Sequence, residues 1–99
     1  MEGPDEIIHQ SSRLRIVATL NAQGARAMLD FGNLKALLEM TDGNLATHLA
    51  ALEKAGYVEI AKDFVGKRPR TRIGMTARGR KALRGHVAFL RSVLDSVQL

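Results

Sequence analysis

The chain has 99 residues, which is enough for one domain with a modest hydrophobic core. Hydrophobic residues make up 45% of it and charged residues 25%, a balance that indicates a folded chain and excludes a disordered one. The absence of cysteine excludes disulfides, zinc–thiolate sites and cysteine nucleophiles. Because the N-terminus lacks signal-peptide features and no apolar run reaches the roughly 18 residues of a membrane helix, we expect a soluble cytoplasmic protein.

The net charge of +5 is concentrated in one segment. Residues 62–84 contain nine Lys and Arg against one acidic residue, Asp63, and therefore carry +8, whereas residues 1–61 carry −3. Cations at this density repel one another unless an anionic partner compensates them. The segment therefore favours a nucleic acid as partner over a merely solvated charged loop.

The chain begins with an apolar stripe at helical spacing, formed by Ile7, Ile8, Leu14, Val17 and Leu20. Ser11 and Ser12 either bend this helix or cap a second one that begins near Arg13. Gly24 ends the helical pattern, and residues 27–29 are predicted to form a short strand.

Two further helices are predicted on either side of a tight turn. Asp30 is suited to cap a helix from about Phe31 to Leu38, and Thr41 to cap the next, which Gly56 ends. The buried side of the first of these helices is expected to consist of Leu34, Leu37 and Leu38.

An alternating pattern then replaces the helical one, with Val58 and Ile60 on one face and Ile73 and Met75 repeating the spacing. These residues predict two antiparallel strands joined by a long loop at residues 65–70, with pairing failing near Pro69. Residue 76, a threonine, is suited to cap a last helix that runs to about residue 97.

The predicted fold is mainly α with a small antiparallel β-hairpin, a winged helix-turn-helix in a single domain over residues 1–99. Residues 12–75 would form the winged-helix core, and residues 76–97 a C-terminal dimerisation helix. In this architecture the second helix of the helix-turn-helix presents its first turns to the DNA major groove.

The candidate recognition helix has Leu45, Leu49 and Leu52 on its core side. The candidate base-contacting residues crowd its first turns: Asp42, Gly43, Asn44, Thr47 and His48. Asn44 could pair with adenine, Thr47 could reach a base or a phosphate, and Gly43 permits close approach. The alternative for Asn44 and Thr47 is a solvated surface, and His48 is as well suited to lean toward the core.

The candidate DNA-binding cations of the hairpin are Lys62, Lys67, Arg68, Arg70 and Arg72. On the return strand Arg70 and Arg72 share one face. Such side chains neutralise phosphates or enter the minor groove, and phosphate neutralisation makes affinity fall steeply with salt. Basic residues also occupy the first turns of the last helix, where they either extend this surface or form a solvated face: Arg78, Arg80, Lys81 and Arg84.

The last helix carries a coiled-coil spacing over two heptads, formed by Leu83, Val87, Leu90, Leu94 and Val97. One interpretation is that this seam packs only against the chain's own helices. Because Phe89 and Val93 widen the apolar surface beyond one stripe, we favour a helix that serves both the domain core and a twofold dimer.

The segment LATHLAALEKAGYVEIAKDFVGKRPRTRIGMTARGRKAL resembles the winged-helix core of small MarR-like and ArsR-like transcription regulators. In these proteins a helix ending in AGYV leads into the wing, and MTARGR begins the last helix. The resemblance covers about residues 12–94 and implies a cytoplasmic homodimer that binds operator DNA. The long flanking helices around the MarR-type effector pocket and the cysteines of ArsR-like metal sensors are absent, so no small-molecule effector is indicated.

The sequence therefore predicts a homodimeric, sequence-specific regulator that binds a pseudo-palindrome in double-stranded DNA. The alternative is a winged-helix protein-interaction module within a larger assembly. An enzyme is not expected, because no paired carboxylates, Gly-rich phosphate loop or nucleophile signature is present. No catalytic, metal or cofactor residue is assigned.

Overall fold

The computed structural model describes residues 3–98. They form four helices and three strands in one domain: α1 (Ser11–Ala22), β1 (Met28–Asp30), α2 (Phe31–Leu38), α3 (Asp42–Lys54), β2 (Val58–Val65), β3 (Arg68–Met75) and α4 (Ala77–Asp95). The strands form one antiparallel sheet in the order β1-β3-β2. The mainly α winged-helix architecture predicted from the sequence is confirmed.

The core lies where α1, α2 and α3 meet the base of the sheet. Its fully buried residues are Ile8, Ile16, Val17, Leu20, Leu34, Leu45, Leu52 and Ile73. The expected core side of α3 is confirmed, since Leu49 is buried along with Leu45 and Leu52. On α2, however, Leu37 is 61% exposed, so its predicted burial was wrong. In this short helix the positions four apart, Leu34 and Leu38, face the core, and Leu37 points away from them.

The helices α2 and α3 begin where their predicted N-cap side chains place them. Asp30 accepts hydrogen bonds from the amides of Gly32 and Asn33, and Thr41 accepts one from Asn44, as expected of N-cap side chains. Neither Ser11 nor Ser12 caps α1, however. Gln10 performs this role by accepting a hydrogen bond from the Arg13 amide at 2.9 Å, so the helix already begins at residue 11.

Residues 39–41 form the turn between α2 and α3. Glu39 adopts the left-handed conformation, with φ of 53°, which ends α2 and redirects the chain. Arg15 of α1 donates from Nη2 to the Leu38 carbonyl oxygen at 3.1 Å and so satisfies one free carbonyl at the end of α2. Across the turn, Lys35 Nζ lies 2.7 Å from Asp42 Oδ1. These contacts help to fix the orientation of α3 relative to α1 and α2.

The hairpin of β2 and β3, here called the wing, is longer than predicted. Pairing continues from Val58–Met75 to Val65–Arg68, so only Gly66 and Lys67 form the turn, and the expected long loop at residues 65–70 was wrong. Gly66 supplies the positive φ, 63°, that a two-residue turn requires. Pairing does not fail at Pro69, because β1 pairs with β3 only from Arg72 to Gly74. At Pro69 the other edge of β3 is unpaired, so a residue without an amide hydrogen is tolerated there.

The junction between α3, the wing and α4 explains the AGYV and MTARGR sequences. Thr76 donates its hydroxyl to the Gly56 carbonyl oxygen at 2.6 Å and accepts from the Gly79 amide, confirming it as the N-cap of α4. Gly79 packs directly on the Tyr57 backbone, where an added Cβ would overlap the Tyr57 carbonyl oxygen. Glycine at residue 79 is therefore required by close approach, not by an unusual φ.

The last helix ends at Asp95, two residues before the predicted end at Val97. The Ser96 hydroxyl donates to the Val93 carbonyl oxygen at 2.7 Å, a local bond that competes with helix continuation. Of the predicted seam, Leu83 is buried in the domain's own core and Val87 packs against that core. Val97 lies outside the helix, which leaves the distal part of the seam on the surface.

The N-terminal segment is attached to α4 through Asp5. Asp5 accepts a 2.7 Å hydrogen bond from the Tyr57 hydroxyl and others from the amides of Ile7 and Ile8, while its own amide donates to Nδ1 of the buried His86. Burial raises the pKa of Asp5, but the hydrogen bonds from Tyr57, Ile8 and Ile7 outweigh it and leave the pKa below its usual value. The bond to Asp5 raises the pKa of Tyr57.

Candidate nucleic-acid interface

The first two turns of α3 form an exposed polar surface. The backbone places Leu45, Leu49 and Leu52 inward, so four of the predicted base-contacting residues are exposed on the other side: Asp42, Gly43, Asn44 and Thr47. His48 is half-buried at the border between the two sides. Asp42 is already bound to Lys35, whereas the neutral side chains of Asn44 and Thr47 are exposed and offer hydrogen-bonding groups to a partner.

Gly43 lies in the open on this surface. An added Cβ would meet no atom of the described structure within 4 Å. Glycine inside a helix destabilises it relative to alanine, so nothing in the fold itself favours Gly43. A close approach by an external partner is a physical reason for a glycine at this position.

Two further residues of α3, which the sequence interpretation missed, face the wing. Ala46 and Ala50 are exposed and line a groove of about 370 Å³ together with Lys62 and Thr71 of the wing. Ala46 and Ala50 follow Gly43 by three and seven residues, a spacing that places all three on the same side of a helix and could have identified them from the sequence. The groove makes the outer side of α3 and one face of the wing a continuous surface.

The five predicted cations of the wing fall into two groups. Lys62, Lys67 and Arg68 are exposed, and no salt bridge joins them to an acidic group within the described residues. Arg70 and Arg72, by contrast, both bind Asp63. The predicted common face of Arg70 and Arg72 is confirmed by their pairing opposite Asp63 and Ala61.

The bond between Asp63 and Arg70 is bidentate, with Nε–Oδ1 at 2.8 Å and Nη2–Oδ2 at 2.6 Å, and Arg72 Nη2 adds a contact at 3.2 Å. Hydrogen bonding from Arg70 lowers the pKa of the Asp63 carboxyl group and outweighs the opposing effect of desolvation. The Asp63 carboxylate is thus shared by two arginines, a group that keeps one positive charge, and Lys62, Lys67 and Arg68 are the wing cations without a salt bridge in the described residues.

The basic residues at the start of α4 also differ in their surroundings. Arg80 donates to the carbonyl oxygens of Ala25 at 2.9 Å and Met75 at 3.3 Å, so its guanidinium group joins α4 to the rest of the domain. Arg78, Lys81 and Arg84 are exposed. Of the four, Arg80 therefore has a structural role that its sequence position did not reveal.

A second exposed surface lies at the far end of α4. Val93, Leu94 and Val97 are 43%, 69% and 49% exposed, and Leu90 is half-buried. Isolated exposed apolar residues are ordinary, but a cluster at one end of a helix is typical of an interface. Leu94 and Val97 are the exposed part of the predicted dimerisation seam, and Val93 lies beside it.

Neither a metal centre nor a membrane segment is found in residues 3–98. No group of three or more potential ligands among His, Asp and Glu lies close enough to hold a metal ion there. No helix in the same range is long and apolar enough to cross a membrane.

Comparison with known proteins agrees with this geometry. Residues 12–94 match the family model described as a winged helix DNA-binding domain. The chain is 35% identical to an uncharacterized protein of Methanocaldococcus jannaschii over 82 residues, covering 83% of this chain and 86% of that protein.

Solved structures show the same architecture. A transcriptional regulator homologue from Pyrococcus horikoshii superposes with a TM-score of 0.85 at 29% identity, covering 96% of this chain and 91% of that one. A MarR-family putative regulator from Porphyromonas gingivalis shares the fold, with a TM-score of 0.70 at 18% identity over 93% of this chain and 86% of that one. The predicted resemblance to MarR-like winged-helix regulators is confirmed, and the chain belongs to the winged helix DNA-binding domain family.

Proposed function

We propose that this protein is a homodimeric, sequence-specific transcription regulator of the cytoplasm that binds a pseudo-palindromic site in double-stranded DNA. Two observations support this proposal: the first turns of α3 are exposed and polar, and Ala46 and Ala50 of α3 share a groove with the wing in which Lys62 supplies a cation. A major groove about 12 Å wide admits a helix such as α3, and the wing then lies over the adjoining backbone and minor groove.

The two parts of this surface have different tasks in the proposal. Asn44 and Thr47 offer hydrogen-bonding groups to base edges, with Gly43 allowing the helix backbone to approach and His48 at the margin of the contact. Asp42, bound to Lys35, orients the first turn. Sequence preference would therefore reside mainly in α3.

Affinity that does not depend on sequence would come from the wing. Lys62, Lys67 and Arg68 have charges free to neutralise phosphates. Arg70 and Arg72 add positive charge on the reverse face of the hairpin, where they hold Asp63 and so also keep the hairpin in shape.

Dimerisation would use the exposed end of α4. The apolar cluster of Val93, Leu94 and Val97, continued by Leu90, is suited to pack against the same cluster of a second copy. The proximal seam residues Leu83 and Val87 would support the helix from within the domain. A twofold axis there would present two α3 helices to successive major grooves, about 34 Å apart.

Binding and mass measurements test this proposal together. The protein should bind a duplex selected from a genomic library at low salt, and light scattering at micromolar concentration should give the mass of a dimer. Leu94→Glu should yield a monomer with much weaker DNA binding, whereas Leu37→Glu, at an equally exposed leucine away from α4, should change neither. A monomeric parent protein would contradict the dimer, and failure to bind any duplex would favour the protein-interaction module.

A further inference from the structure

Phe64 lies in an unusual position for a large aromatic side chain. It is 69% exposed, although it is on the same face of the sheet as the buried Val58 and Ile73. With a rise of about 3.3 Å per residue, the Phe64 position lies roughly 20 Å along β2 from Val58. Phe64 therefore lies beyond the core, and its side chain contributes little buried apolar area to the stability of the fold.

The neighbour of Phe64 across the hairpin is Pro69. Directly opposed side chains in an antiparallel pair lie about 5 Å apart and contact each other. An aromatic ring and a pyrrolidine ring thus form a compact apolar pair at the end of the wing. This pair is on the face that continues the groove shared with α3, because Lys62 and Thr71 of that groove form the next same-face pair along the hairpin.

The end of the wing is also held in a defined shape. The two-residue turn at Gly66 and Lys67 closes the hairpin one residue pair beyond Phe64 and Pro69. On the reverse face the adjoining pair, Asp63 and Arg70, is joined by two hydrogen bonds. The two-residue turn and the Asp63–Arg70 hydrogen bonds therefore hold the apolar pair in a fixed position. A side chain that is to insert between stacked bases needs such rigid support.

The charges around the pair identify its partner. Lys62 precedes Phe64 on the same face, Lys67 lies in the turn, and Arg68, paired with Val65, is on the reverse face next to the turn; all three are exposed. Asp63 is the acidic residue adjacent to Phe64, and Arg70 and Arg72 neutralise it. An apolar wedge surrounded by cations matches a minor groove, where phosphates flank stacked bases and inserted Phe or Pro side chains unstack base steps.

We propose that Phe64, supported by Pro69, inserts into the minor groove beside the recognition site, partly unstacks one base step and bends the duplex. This inference rests on the proposed DNA-binding function. Such a wedge would favour flexible pyrimidine–purine steps under the wing, adding a preference at a position that α3 does not contact. The role assigned to Phe64 is therefore indirect readout, separate from the phosphate contacts of the cations.

The test uses the full chain and a selected duplex with 2-aminopurine at successive steps under the wing and a dye at each end. The parent protein should raise 2-aminopurine fluorescence at one step and shorten the end-to-end distance measured by energy transfer. Phe64→Ala should abolish both changes and weaken binding about tenfold, within the range for losing one base–aromatic contact. The salt dependence of binding should stay unchanged, because no phosphate contact is removed.

Val65→Ala is the matched control. Val65 is 55% exposed at the adjacent position but faces the opposite side of the hairpin, so this variant should unstack and bend DNA as the parent does. Phe64→Leu should retain part of both signals. Parent binding without a fluorescence or distance change, or an unaltered signal in Phe64→Ala, would overturn the wedge while leaving DNA binding intact. A loss of dimer mass in Phe64→Ala would assign the residue to a protein contact instead, and absence of any duplex binding would overturn both proposals.

Discussion

Asp63 and Arg70 face each other across the wing and are joined by two hydrogen bonds, of 2.8 and 2.6 Å. Because of this pair of hydrogen bonds, arginines that look equivalent in the sequence have different surroundings in the structure. Arg70 already has an anionic partner within the protein, whereas Arg68, two residues earlier on the same strand, is exposed at the turn. The difference leads to a prediction about the salt dependence of DNA binding.

Arg68→Ala and Arg70→Ala should differ in their effect on the slope of log affinity against log salt concentration. Each phosphate contact contributes about −0.9 to this slope, so Arg68→Ala should reduce its magnitude by about that amount. Arg70→Ala removes one positive charge and leaves Asp63 bound only to Arg72, so it should weaken binding at every salt concentration with a smaller change in slope. Titrations by fluorescence anisotropy between low and high salt measure both. Equal slope changes would mean that Arg70 contacts a phosphate as directly as Arg68.

Gly43→Ala should separate stability from DNA binding. Because an alanine Cβ meets no neighbour there, the substitution should raise the free energy of unfolding through improved helix propensity, by less than the roughly 0.5–1 kcal/mol of a helix interior because Gly43 lies in the first turn. The same methyl group would stand between α3 and the bases, so affinity for the selected duplex should fall. Thermal unfolding and binding titrations on one preparation test the two effects. Unchanged affinity in a stabilised variant would show that DNA does not approach α3 closely at Gly43.

Gly79→Ala should have the opposite effect on stability. Its methyl group would overlap the Tyr57 carbonyl oxygen, and because the obstacle is backbone it cannot rotate away. Overpacking of this kind costs about 1–3 kcal/mol, which exceeds the gain in helix propensity. Chemical denaturation should show this loss, with Gly43→Ala as the control that adds the same methyl group to an open helix position. Equal stabilisation of both variants would contradict the close contact between α4 and Tyr57.

The bonds to Asp5 predict how stability changes in acid. The pKa of Asp5 is lowered below its ordinary 3.8, so its contribution is present above that pH and is lost as the pH falls through the lower folded-state pKa. Asp5→Asn should therefore be less stable than the parent at neutral pH, by about 1 kcal/mol for the weakened hydrogen bonds, and the difference should shrink below about pH 4. Urea unfolding at pH 3 to 7 measures it. A difference that stays constant over this range would mean that the charge of Asp5 contributes nothing.

Tyr57→Phe is the companion to this experiment. It removes one hydrogen bond from the Asp5 carboxylate and leaves those of the Ile7 and Ile8 amides. The acid-side change in stability should therefore persist with smaller amplitude. Because the bond to Asp5 raises the pKa of Tyr57, the parent should also lose this contribution above pH 10, as pH rises through the raised pKa, and Tyr57→Phe should not.

The sequence predicted those parts of the fold that depend on local chemistry. The N-caps at Asp30, Thr41 and Thr76 each need only a side-chain oxygen two or three residues before a free amide. The core side of α3 follows from helical period alone. Leu37 was predicted incorrectly because a three-leucine pattern in an eight-residue helix does not show which positions meet the rest of the chain.

The chemistry of the wing could not be predicted in the same way, because it depends on strand register. Taking Pro69 as the end of pairing implied a long loop, and under that interpretation Asp63 and Arg70 have no reason to meet. With a two-residue turn they become directly opposed, and so do Phe64 and Pro69. The neutralised anion and the apolar pair at the end of the wing both follow from the shorter turn and the longer pairing.

The most direct test of paired DNA binding is selection from a random duplex library by the purified protein, followed by sequencing. A dimer that binds paired half-sites should enrich two inverted copies of one half-site whose centres lie about 10 base pairs, or one helical turn, apart. Asn44→Ala and Thr47→Ala should relax the preference within each half-site without changing the spacing. Enrichment of a single, asymmetric half-site would contradict the dimer, and failure to enrich any sequence would contradict specific DNA recognition by α3.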